Sequence, residues 1–174
     1  MTTPIRSLLA LVLAGALPAN APQEAPPGPS VELARLAAFA GLWDVESVVS
    51  GFEPVSGSSK LVMLGDRWLI EESRMGSGEQ TIDGRAFTGW DPDKQRYVRA
   101  SVSTADSRLQ VNDLTWDDSK QALISDALTM DLGSGPVTVR GETRMPDSYT
   151  IVFTATPVAP DALPALTVTY SRTR

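Results

Sequence analysis

The sequence predicts a mainly β protein, an antiparallel up-and-down β-barrel of about ten strands with one short N-terminal helix. Three observations carry this. From Leu42 to the C-terminus, short segments rich in β-branched and aromatic residues alternate with turn chemistry, and no second helical pattern appears. The connections are too short for parallel crossovers, so sequential strands must pair antiparallel. A meander of that length either splits into two layers or curls, and full closure alone removes the exposed edges, which favours a barrel.

The elements follow in chain order. Arg6 precedes an apolar run from Leu8 to Leu17 that ends at Pro18 and Ala19-Asn20-Ala21, the pattern of a secretory signal peptide over residues 1–21 with cleavage after Ala21. The run is far shorter than the roughly 20 residues that span a bilayer. A periplasmic or secreted protein is therefore expected, with no stable membrane insertion. Residues 22–29 hold Pro22, Pro26, Pro27 and Pro29 and no apolar period, which predicts an extended linker.

The domain is expected over residues 30–174. Ser30 can cap a helix whose Leu33, Leu36, Ala37 and Ala40 share a face, with Glu32 at its positive end and Gly41 in a left-handed position after its last turn. About three turns of helix are marginal alone, so it must dock, and one open end of the barrel is the expected place. Strands are predicted over 42–50, 59–64, 68–75, 84–90, 96–103, 108–116, 122–128, 137–143, 148–156 and 166–172. Gly65-Asp66, Gly76-Ser77-Gly78, Asp91-Pro92-Asp93-Lys94, Trp116-Asp117-Asp118-Ser119, Gly133-Ser134-Gly135-Pro136 and Met145-Pro146-Asp147 separate them. Residues 51–59 are either a lid loop at the barrel mouth or a plain hairpin.

Alternation within strands supports one inward and one outward face: Trp43, Val45 and Val49 against Asp44 and Glu46, and Ile151 and Phe153 against Thr150 and Thr154. Which face of each strand lines the lumen is left open by the pattern alone.

Composition removes whole classes of chemistry. The 174 residues carry a net charge of −6 with both signs interspersed, which argues against nucleic acid, whose phosphates require a basic patch. The chain has no His and no Cys, so the usual zinc, copper and haem ligands, the Cys nucleophile, the Ser-His-Asp arrangement and any disulfide are absent. No cofactor and no metal are expected. Asp91, Asp93, Asp117 and Asp118 match no twelve-residue calcium loop and read as turn formers. Gly76-x-Gly78 and Gly133-x-Gly135 precede no helix and are hairpin tips rather than phosphate cradles.

Several motifs together resemble a known family. Gly41-Leu42-Trp43 opening the first strand, with Arg172 closing the last, is similar to the signature of the lipocalins and calycins. The wider pattern resembles a bacterial lipocalin-like barrel family of unknown function. Its Leu-x-x-x-x-Gly-x-Trp start is matched by Leu36, Gly41 and Trp43, and its Leu-Gly-x-Arg-Trp-Leu hairpin by residues 64–69. A Gly-aromatic-Asp hairpin with a later Tyr is matched by Gly89, Trp90, Asp91 and Tyr97, and the Tyr-x-Arg ending by Tyr170 and Arg172. The resemblance implies that Gly41, Trp43 and Arg172 close one end of the barrel. After Tyr97 the chain departs from the family pattern, carrying Arg99-Ala100-Ser101 where relatives often have a tryptophan and an aspartate.

A working site would then lie toward the other end. Met63, Trp68, Glu72, Phe87, Tyr97 and Arg99 are the candidate ligand-binding residues, with Arg99 able to receive a ligand carboxylate bidentately. Three readings follow. The preferred one is an exported, non-catalytic binding protein that holds a small hydrophobic or amphipathic ligand in the lumen. The second is a carboxylate-based isomerase, cyclase or hydrolase using Glu72, Asp83 or Tyr97 as acid or base, Glu72 sharing a face with Arg74. The third is a ligand-free envelope or assembly factor acting through its surface. No homo-oligomer is predicted.

Overall fold

The Ser30 hydroxyl accepts a hydrogen bond from the Leu33 amide at 3.4 Å and starts helix α1 (Val31–Ala38). The computed structural model describes residues 30–76, 78–131, 135–159 and 165–174, so the proposed signal and linker at 1–29 lie outside the described residues. Leu36 and Phe39 are buried where α1 closes one end of the lumen. The helix ends with Phe39 in a right-handed conformation, and Gly41 does not serve as its left-handed stop. Gly41 instead opens the first strand: a Cβ there would stand 2.7 Å from the Arg172 Nη1 and 3.3 Å from the Trp43 indole nitrogen. A larger residue here would displace the guanidinium of the closing arginine, which lies against this backbone.

Ten strands follow: β1 (Gly41–Val49), β2 (Val55–Leu64), β3 (Trp68–Met75), β4 (Ile82–Asp91), β5 (Arg96–Ser103), β6 (Asp106–Asp117), β7 (Ala122–Asp131), β8 (Pro136–Asp147), β9 (Thr150–Pro157) and β10 (Leu166–Arg172). Each pairs antiparallel with its sequence neighbours, and β1 pairs with β10 to close the barrel. Several connections are built from the predicted turn residues, while Ser77, Gly133 and Ser134 of two further predicted turns lie outside the described residues. Gly65 and Asp66 both take positive φ, 56° and 52°, as the tight β2–β3 hairpin requires. The Asp91, Asp117 and Asp147 carboxylates each accept a backbone amide two residues on, at 3.1, 2.9 and 2.8 Å.

Two boundaries differ most from the sequence expectation. β2 begins at Val55 rather than at residue 59, which leaves a short hairpin where a lid loop was one of two options. Gly57 makes this possible, since any Cβ there would collide with the Arg74 carbonyl and with Met75 on β3. β8 runs on through Met145-Pro146-Asp147, where a turn was expected, with a register shift against β9 that absorbs the proline. A single 3-10 turn at Gly78–Gln80 was also not anticipated.

Apolar residues gather at two levels. At the closed end, Leu36, Phe39, Trp43, Leu61, Leu69, Tyr97, Leu114 and Ile151 pack together, joined by Trp90 and Trp116. Toward the other end, Val139, Ala155 and Leu166 pack with Leu128, Met130 and Phe153, all on β7 to β10. The wall is not uniform between them. The β6–β7 ladder holds three residue pairs, Thr115–Asp117 against Ala122–Ile124, while Gln110 to Leu114 ladder with β5 and the register breaks between Gln110 and Asp106. Among the described residues no helix is long and apolar enough to cross a membrane.

Candidate functional site

Side-chain parity decides what the lumen contains, and on β3 to β6 it inverts the usual rule. Val62, Ile70, Phe87, Ala100 and Val111 stand directly opposite one another across five strands, in one row on the outer wall. Val62, Phe87 and Val111 are 40%, 43% and 60% exposed. The inward neighbours in the same strands are Glu71, Thr88, Arg99, Gln110 and Asn112, which line the lumen with polar groups. The apolar side of the lumen comes from β2, β3 and β7 to β10.

This parity corrects several sequence expectations. Trp68 lies on the outer face, 42% exposed, because its ring covers Gly89 on β4; a Cβ at Gly89 would come within 2.5 Å of that ring. Phe87 belongs to the outer row. Glu72 also points outward, 3.2 Å from Arg85, and Asp83 pairs outside the barrel with Arg74 at 3.0 Å, so neither supplies an acid or base to the lumen. Met63 packs against the closed-end core and does not line the cavity. Tyr97 is fully buried, its ring edge-on to Trp90 at 5.0 Å and its hydroxyl donating to the Glu32 carbonyl at 3.1 Å. It ties α1 to the barrel wall instead of facing a ligand. Arg99 alone of the six candidates lines the cavity.

The lumen cavity has a volume of about 310 Å³. On its polar side Glu71 is 7% exposed, and its carboxylate accepts three hydrogen bonds. Its Oε2 accepts from Arg99 Nη2 at 2.7 Å, while Oε1 accepts from the Tyr170 hydroxyl at 3.1 Å and the Ser59 hydroxyl at 3.2 Å. Arg99 Nη1 also donates to the Thr88 hydroxyl at 3.3 Å, which fixes the guanidinium plane. Burial by itself would push the Glu71 carboxyl up; the Arg99 charge, with the hydroxyl donors, more than offsets this and holds it below the usual carboxylate range. Burial, then the neighbouring Glu71 charge, pushes the Tyr170 phenol up, so Tyr170 remains a donor. A shallower recess of about 280 Å³ shares Glu71, Arg99 and Tyr170 and continues past them to Ser73, Ser103, Asp106 and Arg108. The ion pair therefore stands where the two spaces meet.

Glu71 was missed because the adjacent Glu72 has the same chemistry and the outer row carries the stronger apolar signal. A usable signal existed in Tyr170: it stands two residues before Arg172 and so shares the face of the closing arginine. At the closed end, the Arg172 guanidinium lies 4.4 Å from the Trp43 ring centre and donates to the Ser148 and Ala40 carbonyls at 2.9 and 3.3 Å. Arg35 repeats the arrangement on Trp116 at 4.7 Å and bonds Asp118 at 2.7 Å, which fastens α1 to the β6–β7 turn. Among the described residues no cluster of three or more acidic side chains could hold a metal ion.

A closed ten-strand barrel with one capping helix defines the class of protein. The chain belongs to the family described as protein of unknown function DUF1579, whose model matches residues 28–174. No curated protein matches the chain. Among solved structures it is similar to a redesigned β-barrel, at 12% identity and a TM-score of 0.44, covering 80% of this chain and 96% of that one. It is also similar to the redesigned barrel mFAP0 bound to DFHBI, at 14% identity and a TM-score of 0.43, covering 78% and 99%. A protein of unknown function of the DUF3598 family from Nostoc punctiforme matches at 8% identity and a TM-score of 0.23, covering 83% and 100%.

Proposed function

We propose that this protein is an exported, lipocalin-like binding module that holds a small amphipathic molecule in its barrel lumen. The observation that carries this is the lumen itself. Its volume, about 310 Å³, falls at the small end of the roughly 300–1,000 Å³ that ligand pockets occupy, and it has one apolar wall and one polar wall. A packed structural barrel would fill that space with apolar side chains. Here Glu71 and Arg99 are set in the wall with their partners satisfied, which gives the lumen a preorganised polar side facing an apolar one. The apolar run at residues 8–17, followed by Ala19-Asn20-Ala21, supports export to the periplasm or the medium.

Native mass spectrometry of protein purified without denaturation tests the reading. A retained small molecule, or stoichiometric uptake of a neutral amphiphile from a panel, is the expected result. A barrel that emerges empty and takes up nothing from the panel overturns it.

A further inference from the structure

We propose that the lumen selects uncharged polar-headed ligands, alcohols or amides, and rejects carboxylates, because Glu71 already occupies the guanidinium that would receive an anion. The proposal rests on the binding reading above and narrows it to a ligand class. Arg99 is the only cation lining the cavity among the described residues, and Glu71 the only anion. Their 2.7 Å pair leaves the lumen without net charge. Arg99 keeps 35% of its side-chain surface accessible, but its charge is already compensated by Glu71 through Nη2, and Nη1 donates to Thr88.

A ligand carboxylate drawn to Arg99 would come to rest beside the Glu71 carboxylate, with little water to screen the repulsion. Separating the pair to admit it would leave Glu71 buried without its cation, which is costly. The charges at the neighbouring recess offer no substitute, since Arg108 is held by Asp106 at 2.8 Å and Arg85 by Glu72. What the wall does offer is neutral: Ser101, Gln110, Asn112, Ser125 and Thr143 supply hydroxyls and amides that both donate and accept. Leu69, Leu128, Ile151, Phe153 and Val168 face the hydrocarbon part.

Matched eight-carbon probes separate the possibilities. Octan-1-ol, octanamide and octanoate are titrated at pH 7.5 into the wild-type protein and into Glu71→Gln, with uptake read by displacement of neutral Nile red and by calorimetry. Wild type is expected to bind the alcohol and the amide at least about tenfold more tightly than octanoate. Glu71→Gln frees Arg99 and is expected to erase or reverse that ratio, with near-ultraviolet circular dichroism confirming that the variant is folded. A wild-type preference for octanoate overturns the selectivity while leaving lumen binding intact, and needs no variant. An unchanged ratio in folded Glu71→Gln overturns the role given to Glu71. Failure of all three probes to bind either protein overturns the binding reading and this proposal together.

Discussion

Arg172 lies over the Trp43 ring, its guanidinium carbon 4.4 Å from the ring centre, and the two residues face each other across the β1–β10 seam in direct register. The contact joins the first strand to the last. Trp43 is 1% exposed, and its indole N–H donates to the Phe39 carbonyl at 3.1 Å, so one side chain also ties the helix to the barrel. Trp43→Ala is expected to cost about 3 to 5 kcal/mol, the range for truncating a buried aromatic. Thermal unfolding measures it. A change under about 1 kcal/mol would show that closure does not depend on this ring.

Adjacent glutamates on β3 should behave oppositely. Glu72 is half exposed and paired with Arg85 outside the barrel, so Glu72→Gln is expected to change stability by less than about 0.5 kcal/mol. Glu71→Gln removes a buried charge that accepts from Arg99, Tyr170 and Ser59, and is expected to cost about 1 to 3 kcal/mol. Urea unfolding of the two variants side by side decides the matter. Equal effects would mean that the parity of β3 is other than described.

Turn chemistry made the barrel legible. Gly65-Asp66, Asp91 and Asp117 each mark a hairpin by residue type alone, and β3, β5 and β10 begin and end where the sequence places them. Parity was harder. A sequence reader assigns the apolar side of a strand to the core, and on β3 to β6 that rule selects Trp68, Phe87 and Val111, which face outward. The barrel places apolar residues outside where Trp68 covers Gly89, and polar residues inside where Glu71 meets Arg99. Such a pair involves strands β3 and β5, which are not neighbours, so no local period encodes it. It becomes visible only when the barrel closes.

The short β6–β7 ladder predicts uneven backbone protection. From Gln110 to Asp113, β6 ladders with β5 and not with β7, so alternate amides of this stretch have no strand acceptor on the β7 side. Hydrogen exchange resolved by residue is expected to show alternate amides of this stretch exchanging well before those of β3 and β4, which are paired on both sides along their length. Uniform protection of β6 would mean that the seam is closed in solution.

Glu71 also predicts a pH dependence whose sign can be worked out. Burial raises its pKa, and the Arg99 charge with the hydrogen bonds from Arg99, Tyr170 and Ser59 lowers it by more, so the net shift in the folded protein is downward from the usual value near 4.5. Stability from this group is then complete above about pH 4.5, where the carboxylate is ionised in both states, and is lost as pH falls through the folded-state value. In that interval the unfolded chain binds the proton and the folded chain does not, so protons favour unfolding. Asp106, held at about 2 by Arg108, and Asp117, lowered chiefly by Ser119, act in the same direction, but they are common to wild type and Glu71→Gln and cancel in the comparison. The difference in melting temperature between the two proteins is therefore expected to stay constant from about pH 7 to pH 5 and to shrink below that. Differential scanning calorimetry across this range measures it. A difference that persists undiminished to pH 3 would show that Glu71 is not held ionised by Arg99.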